Sequence, residues 1–216
     1  MTVLSDFIAS VKEWIDDLDP SDGLVTQWVR LAETRMNDEL RTDEQVARVS
    51  ATFDDNCAVL PADWLETLYV RPAGGRPFGF ISNRDYFNLI PAPMPFQAAP
   101  PVSDTVYPWS RKGHFTNIGR TIFVWPPIDP LALTQFEIAY YQRIPPLDNV
   151  QTPVFVRYPS IYLNCTLAAA APYLIEDERL NVFSALATAQ IKTANDAATA
   201  ARFSGSPLSP AIRGFG

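Results

Sequence analysis

A reaction centre needs a nucleophile beside a base, paired carboxyls or a metal-holding cluster, and this 216-residue chain offers few of these. His114 is its single histidine. A Ser-His-Asp relay would have to use it, and no G-x-S-x-G turn accompanies it. Cys57 and Cys165 are the two cysteines; they form no C-x-x-C pair and are too few for a disulfide framework, which fits free thiols in a reducing compartment. A zinc site would have to be built almost entirely of carboxylates. Carboxyls do cluster, at Asp16–Asp17, Asp54–Asp55 and Glu176–Asp177–Glu178. A glycosidase needs two of them across a cleft in unlike environments, whereas acids gathered at helix ends need no cleft to explain them. A carboxylate-dependent glycan hydrolase would have to recruit acids elsewhere, such as Asp63 or Glu137. The glycine-rich "PAGGRPFG" lacks the G-x-x-x-x-G-K-[ST] spacing of a phosphate cradle and opens no helix, so it reads as a hairpin turn. The tryptophans at 14, 28, 64, 109 and 125 could stack on bases or sugars, but Trp14 and Trp28 fall on apolar helix stripes and Trp64 leads into a strand. The expectation is a protein that is not an enzyme, with no catalytic residue, cofactor or metal.

Charge narrows the class of partner. Residues 1–55 hold 13 acids and 5 bases, while residues 56–216 hold 11 acids and 12 bases, so the formal −7 sits at the front of the chain. An acidic segment repels phosphates, which argues against a sequence-specific nucleic-acid reader. At 47% hydrophobic and 19% charged residues the composition is globular. No apolar run approaches the ~18 residues of a membrane span, so a soluble chain without membrane contact is expected. The start "MTVLSDFIASVKEWIDD" has no basic leader and carries acids within its periodicity, which reads as a cytosolic beginning.

The elements that would position any site follow from periodicity. Leu4, Phe7, Val11, Trp14 and Leu18 step at helical spacing. After "DPSDG", with Asp19 as expected N-cap and Pro20 in the first turn, Val25, Trp28, Ala32, Met36 and Leu40 form a second stripe. From Thr42 the pattern turns to strands: "QVARVSATFD", two strands about the Gly-Gly turn of "LPADWLETLYVRPAGGRPFGF", and a hairpin turning near Asn117–Gly119. "SNRDYFNLI" predicts a short helix capped by Ser82 or Asn83. Six prolines between Pro91 and Pro108 predict a long loop. "TQFEIAYYQRIPPL" is a strand, with Phe136, Ile138 and Tyr140 on one face and Glu137, Ala139 and Tyr141 on the other. Helical spacing then returns in Ile161, Cys165, Ala168 and Pro172, and in Leu180, Phe183, Ala187, Ile191, Ala194 and Ala198. The predicted fold is α+β: a four-helix bundle formed from both chain ends (residues 1–42 and 151–203), an inserted β-rich domain at 43–150 with a Pro-rich loop at 91–108, and an extended C-terminal arm at 204–216.

That arm, "SGSPLSPAIRGFG", has no fold of its own. Burying Leu208, Ile212 and Phe215 gains less than ordering the segment costs, so docking needs added backbone hydrogen bonds or many arms bound at once. "FEIAYYQRIPPL" followed by "YPSIYLNCTLAAAAPYLIEDERLNVFSALATAQI" resembles the C-terminal half of head-to-tail adaptor (connector) proteins of tailed bacteriophages. "LPADWLETLYVR" and "IFVWPPI" are similar to that family's mid-chain strands, while "DNVQTPVFVRYP" departs from the polar linker it carries. The resemblance implies a structural virion component. It implies a ring of about twelve copies beneath the portal protein, whose C-terminal arms clasp the portal through Phe203, Leu208, Ile212, Arg213 and Phe215. The other face would receive a stopper, tail terminator or tail hub, and genomic DNA would pass through the channel. The expected place is the head–tail interface of the virion, after assembly in the host cytoplasm. The alternatives are a minor tail or decoration protein and the glycan hydrolase above.

Overall fold

The computed structural model describes residues 2–15, 19–54, 56–89, 113–125, 135–173 and 177–203. They hold six α-helices and two sheets, a mixed α+β fold. The described parts of Met1–Gln45 and Ile144–Gly216 make one compact unit, and those of Val46–Arg143 make another.

In the helical unit, α1 (Val3–Ile15) buries Phe7, Ile8, Val11 and Ile15. Trp14, expected on that stripe, is 58% exposed. A step of three or four from Val11 reaches either Trp14 or Ile15, and Ile15 is the one that turns inward. Helix α2 (Asp22–Glu39) starts later than predicted. Its N-cap is Ser21, whose side chain accepts the Leu24 N–H at 3.3 Å, so Asp19 and Pro20 lie ahead of it. Its inward set of Val25, Trp28, Ala32, Met36 and Leu40 is buried as its spacing predicts.

The chain re-enters this unit at Ile144, and polar side chains of α2 receive it. Asn37 accepts the Ile144 N–H at 2.7 Å and Glu33 accepts the Leu147 N–H at 2.6 Å. Glu33, only 5% exposed, also takes a hydrogen bond from Arg30 at 2.9 Å, and Arg30 reaches on to Asp148. Helix α4 (Pro153–Arg157) follows, with Thr152 accepting the Phe155 N–H at 3.1 Å as its cap. Pro159 then forces the break before α5 (Pro159–Ala170), because the residue before a proline avoids helical angles and Tyr158 sits at φ −130°, ψ 55°. This extra turn of helix occupies the stretch where "DNVQTPVFVRYP" departs from the adaptor pattern.

Helix α5 buries Ile161, Tyr162, Cys165, Thr166, Leu167 and Ala170, more than one face, as befits a helix wedged among others. Pro172, expected inward, is exposed in the 3-10 turn Ala171–Tyr173 that stops the helix. Phe7, Phe155 and Tyr162 meet edge to face at 5.1–6.2 Å. Burial pushes the Tyr162 hydroxyl up to about 12 and the Cys165 thiol up to about 11, so both stay protonated and unreactive. Helix α6 (Asp177–Phe203) has 27 residues and spans about 40 Å. Its inner face of Ala187, Ile191, Ala194 and Ala198 is buried, with Phe183 packed beside it; the side chain of Leu180 lies outside the described residues. Small side chains on α5 and α6 let the two backbones approach, which is what the alanine run is for.

Polar contacts fix α6 along α2. Arg35 donates to Thr188 at 2.8 Å. Asn195 accepts the Arg41 N–H at 2.7 Å and donates to the Glu39 carbonyl at 2.9 Å, and Arg202 grips Asp43 at 3.0 and 3.1 Å. The partner numbers rise together, so α2 and α6 run in the same direction.

The second unit has two sheets. One is antiparallel, in the order β1 (Val46–Thr52), β7 (Gln135–Gln142), β3 (Trp64–Pro72). The other runs β2 (Cys57–Val59), β6 (Thr121–Trp125), β5 (His114–Ile118), β4 (Gly79–Phe80). Leu60, Val70, Phe78, Phe115, Ile122, Val124, Phe136 and Ile138 fill the core. The β5–β6 hairpin turns through Gly119 at φ 60°, a left-handed angle that favours glycine. Ser82 caps α3 (Asn83–Leu89), accepting the Asp85 N–H at 3.2 Å. The Gly-Gly turn does not yield the predicted hairpin. Phe78 N–H returns to the Val70 carbonyl at 2.8 Å, but β4 then pairs in parallel with β5. Strand β7 alternates only at its start; Ala139, Tyr140 and Tyr141 are all buried, so its second half is covered on both faces. The Pro-rich loop predicted at 91–108 lies outside the described residues.

Replacing Glu33 or Asn195 with alanine orphans backbone groups of α2 or its partners, and each change should cost about 1–3 kcal/mol in urea unfolding. A loss of less than ~0.5 kcal/mol at both positions would show that these groups do not hold the helices together.

Candidate interaction surfaces

The residues that sequence reasoning weighed for chemistry are scattered among different environments. His114 lies on β5 opposite Trp125, with its Nδ1 buried and without a hydrogen-bond partner among the described residues. Asp63 accepts from the Tyr140 hydroxyl at 3.3 Å, and its carbonyl accepts the Arg143 N–H at 2.6 Å. Asp54 sits in a one-residue bridge to Cys57. Among the described residues, no group of three or more His, Cys, Asp or Glu could hold a metal ion. No helix among them is long and apolar enough to cross a membrane.

Glu137 occupies a polar cluster that joins three strands. One face of the β1-β7-β3 sheet packs Val49, Ala51, Phe136, Ile138 and Val70 into the core. Alternation therefore turns Arg48, Ser50, Glu137, Tyr69 and Arg71 to the other face. Register sets Arg71 directly across from Glu137 on one side and Ser50 on the other. The Tyr69 hydroxyl donates to Glu137 Oε1 at 2.5 Å, and Arg71 donates to Oε2 from Nε at 3.1 Å and from its terminal nitrogen at 2.6 Å. Arg48 stands 3.7 Å from Oε1. The Tyr69 hydrogen bond and then Arg71 hold the Glu137 carboxyl below its ordinary value. A general acid at neutral pH needs the opposite shift, so this carboxylate is built to stay ionised. The sequence offers Glu137, with Asp63, as an acid outside the helix-end clusters; its partners become visible only once the strand register is known.

The predicted portal-binding residues begin at the last residue of α6 and continue beyond it in the sequence. Phe203 is the last residue of that helix, and its side chain is outside the described residues, as are Leu208, Ile212, Arg213 and Phe215 entirely. What is described is the helix end that precedes them in the sequence. Arg202, in the final turn, is bound to Asp43 just beyond α2, and a cation there also suits the negative end of the helix dipole.

A family model, that of the SU10 adaptor protein, matches residues 1–211. The chain belongs to the SU10 adaptor protein family. Membership supports a phage structural adaptor that associates with other head or tail proteins, and so a place in the virion. No curated protein matches the chain. The match spans both units of the adaptor and all but the last five positions of its sequence.

Because the folded value of Glu137 lies below the ordinary 4.5, its contribution to stability is present above that pH and is lost as pH falls through the folded value. Wild type should therefore melt higher than Glu137→Gln at neutral pH, and the gap should narrow below pH 4.5, as followed by circular dichroism. A gap that stays constant down to acid pH would remove the carboxylate from this role.

Proposed function

We propose that this adaptor forms a ring of about twelve copies beneath the portal of a tailed phage and joins it to the tail (copy number from the family resemblance). The helical unit acts as a four-helix bundle of α1, α2, α5 and α6, drawn from residues 1–42 and 151–203. Residues 43–150 serve as a β-rich insertion that offers surface to the next component, whether stopper, tail terminator or tail hub. Residues 204–216 leave α6 as an extended arm, and Phe203, Leu208, Ile212, Arg213 and Phe215 engage the portal. One arm binds weakly, since its few apolar side chains must offset the ordering of the whole segment; symmetry multiplies the contact into a stable clasp. DNA passes through the ring without being gripped, which the acidic balance of the helical unit favours. The protein carries out no catalysis, and assembly takes place in the host cytoplasm before the ring is locked into the head–tail interface.

The observation that carries this reading is the family match across residues 1–211, which takes in most of the arm as well as the folded units. The anchoring of Arg202 to Asp43 supports it, because an arm can transmit binding only from a fixed root.

Deleting residues 204–216 should abolish co-sedimentation with portal while shifting the melting temperature of the chain by no more than about 1–2 °C. A truncated chain that still assembles on portal would overturn the assignment of the arm.

A further inference from the structure

The cross-strand cluster around Glu137 sets two guanidiniums, Arg71 and Arg48, against one carboxylate. Oε1 of Glu137 accepts from Tyr69 and Oε2 from Arg71. Among the described residues Arg48 has the 3.7 Å ion pair and no hydrogen bond, and its side chain is 67% exposed. Arg71 ties β3 to β7 through hydrogen bonds, whereas Arg48 ties β1 to β7 by the longer ion pair alone. Arg48 thus makes a local positive spot on the outer face of this sheet, beside Tyr69 and the half-exposed Arg71, with the exposed Glu66 farther along the same face opposite Tyr141.

The complementary surface lies elsewhere on the same chain. Residues 46–143 hold 8 acids and 8 bases, whereas residues 1–45 and 144–216 together hold 16 acids and 9 bases, so the helical unit carries the whole −7. On α1 the exposed Asp6, Ser10 and Glu13 recur at steps of four and three, one outward stripe. Lys12 is already committed to Asp19 at 3.3 Å and Asp22 at 2.8 Å, and neither Asp6 nor Glu13 has an ion pair among the described residues. Trp14 stands exposed next to Glu13, a large flat side chain whose face attracts guanidinium groups.

We infer that the outer face of α1 in one copy, through Glu13 and Trp14 with Asp6, docks on the Arg48–Arg71 sheet face of a second copy. Charge matches charge, and the residue types at the centre, Trp against Arg and Tyr, are those that dominate protein interfaces. The two patches differ, so the contact is heterologous; repeated from copy to copy it propagates head to tail and makes a ring where the rotation closes. This deepens the ring reading above by naming the surfaces that join neighbours, and it makes no use of the C-terminal arm.

The test uses the full chain alone, followed by sedimentation velocity over a concentration and salt series. Wild type should self-associate reversibly, more weakly at high salt because exposed charges are screened. Arg48→Glu and Glu13→Arg should each weaken association about tenfold, and Glu13→Arg combined with Arg48→Glu should recover most of it. Trp14→Ala should weaken it as well, while Arg84→Glu, an exposed charge on α3, should not. Unchanged melting curves separate these effects from misfolding. A wild-type chain that is monomeric at its highest soluble concentration overturns the inference, as does an Arg48→Glu variant that associates normally or loses only affinity for DNA. So does a double variant that recovers nothing. Since portal is absent from every sample, none of these failures bears on the arm, and loss of the arm's portal binding would leave this contact untouched.

Discussion

The structure rests on how α2 receives a chain that has been away for about a hundred residues. The helical unit is closed by a segment arriving at Ile144, and its first two buried N–H groups find acceptors on α2, at Asn37 and Glu33. Those positions are four apart and therefore stacked on one face of the helix. An unpaired backbone group buried here would be costly, so the returning chain has one register in which it can enter. Everything downstream depends on that register: Thr152 can cap α4, Pro159 can break it, and α5 can lie among α1, α2 and α6 with its several buried faces. The cost of closing such a long excursion grows only slowly with its length, which is why a β unit can be carried between the two halves of a helical core.

Much of this was legible from spacing. The α2 stripe was readable because five apolar residues at helical steps leave a single face to bury, and Leu40 ends it where the helix ends. The hairpin at Gly119 and the cap at Ser82 were readable because each depends on local chemistry. Other features were hidden for physical reasons. Trp14 and Ile15 are adjacent apolar residues, and periodicity cannot choose between neighbours. Asp19, Pro20, Ser21 and Asp22 all carry start signals, and only cap geometry picks Ser21. The pairing of β4 with β5 joins two residues to a strand over thirty positions away, and so short a strand leaves no alternation to read. The polar cluster needed the order β1-β7-β3: an arginine on β1, a glutamate on β7 and an arginine on β3 become neighbours only through register. The portal-binding residues assigned from the resemblance lie beyond the described helix end, so only their root at Arg202 has a structural setting.

Alanine is used in two ways here. On the inner faces of α5 and α6, small side chains bring helices together and leave little room for larger ones, so tolerance there is set by volume. On the outer face of α6, alanines and threonines leave a long surface with few charges; Val182 and Leu186 are exposed on it. The tail proposal and the α1 contact each leave that surface free. The adaptor family match extends across it, and neither reading requires it to be covered.

The parallel run of α2 and α6 has a mechanical consequence. Tension entering past Phe203 would travel along the α6 axis and meet Arg202–Asp43, Asn195 and Arg35–Thr188 side by side, loaded in shear and not peeled one at a time. Linkages that must rupture together resist far more force than the same linkages opened in turn. A helix tied down in this way can take load at its end without unravelling the core to which it belongs.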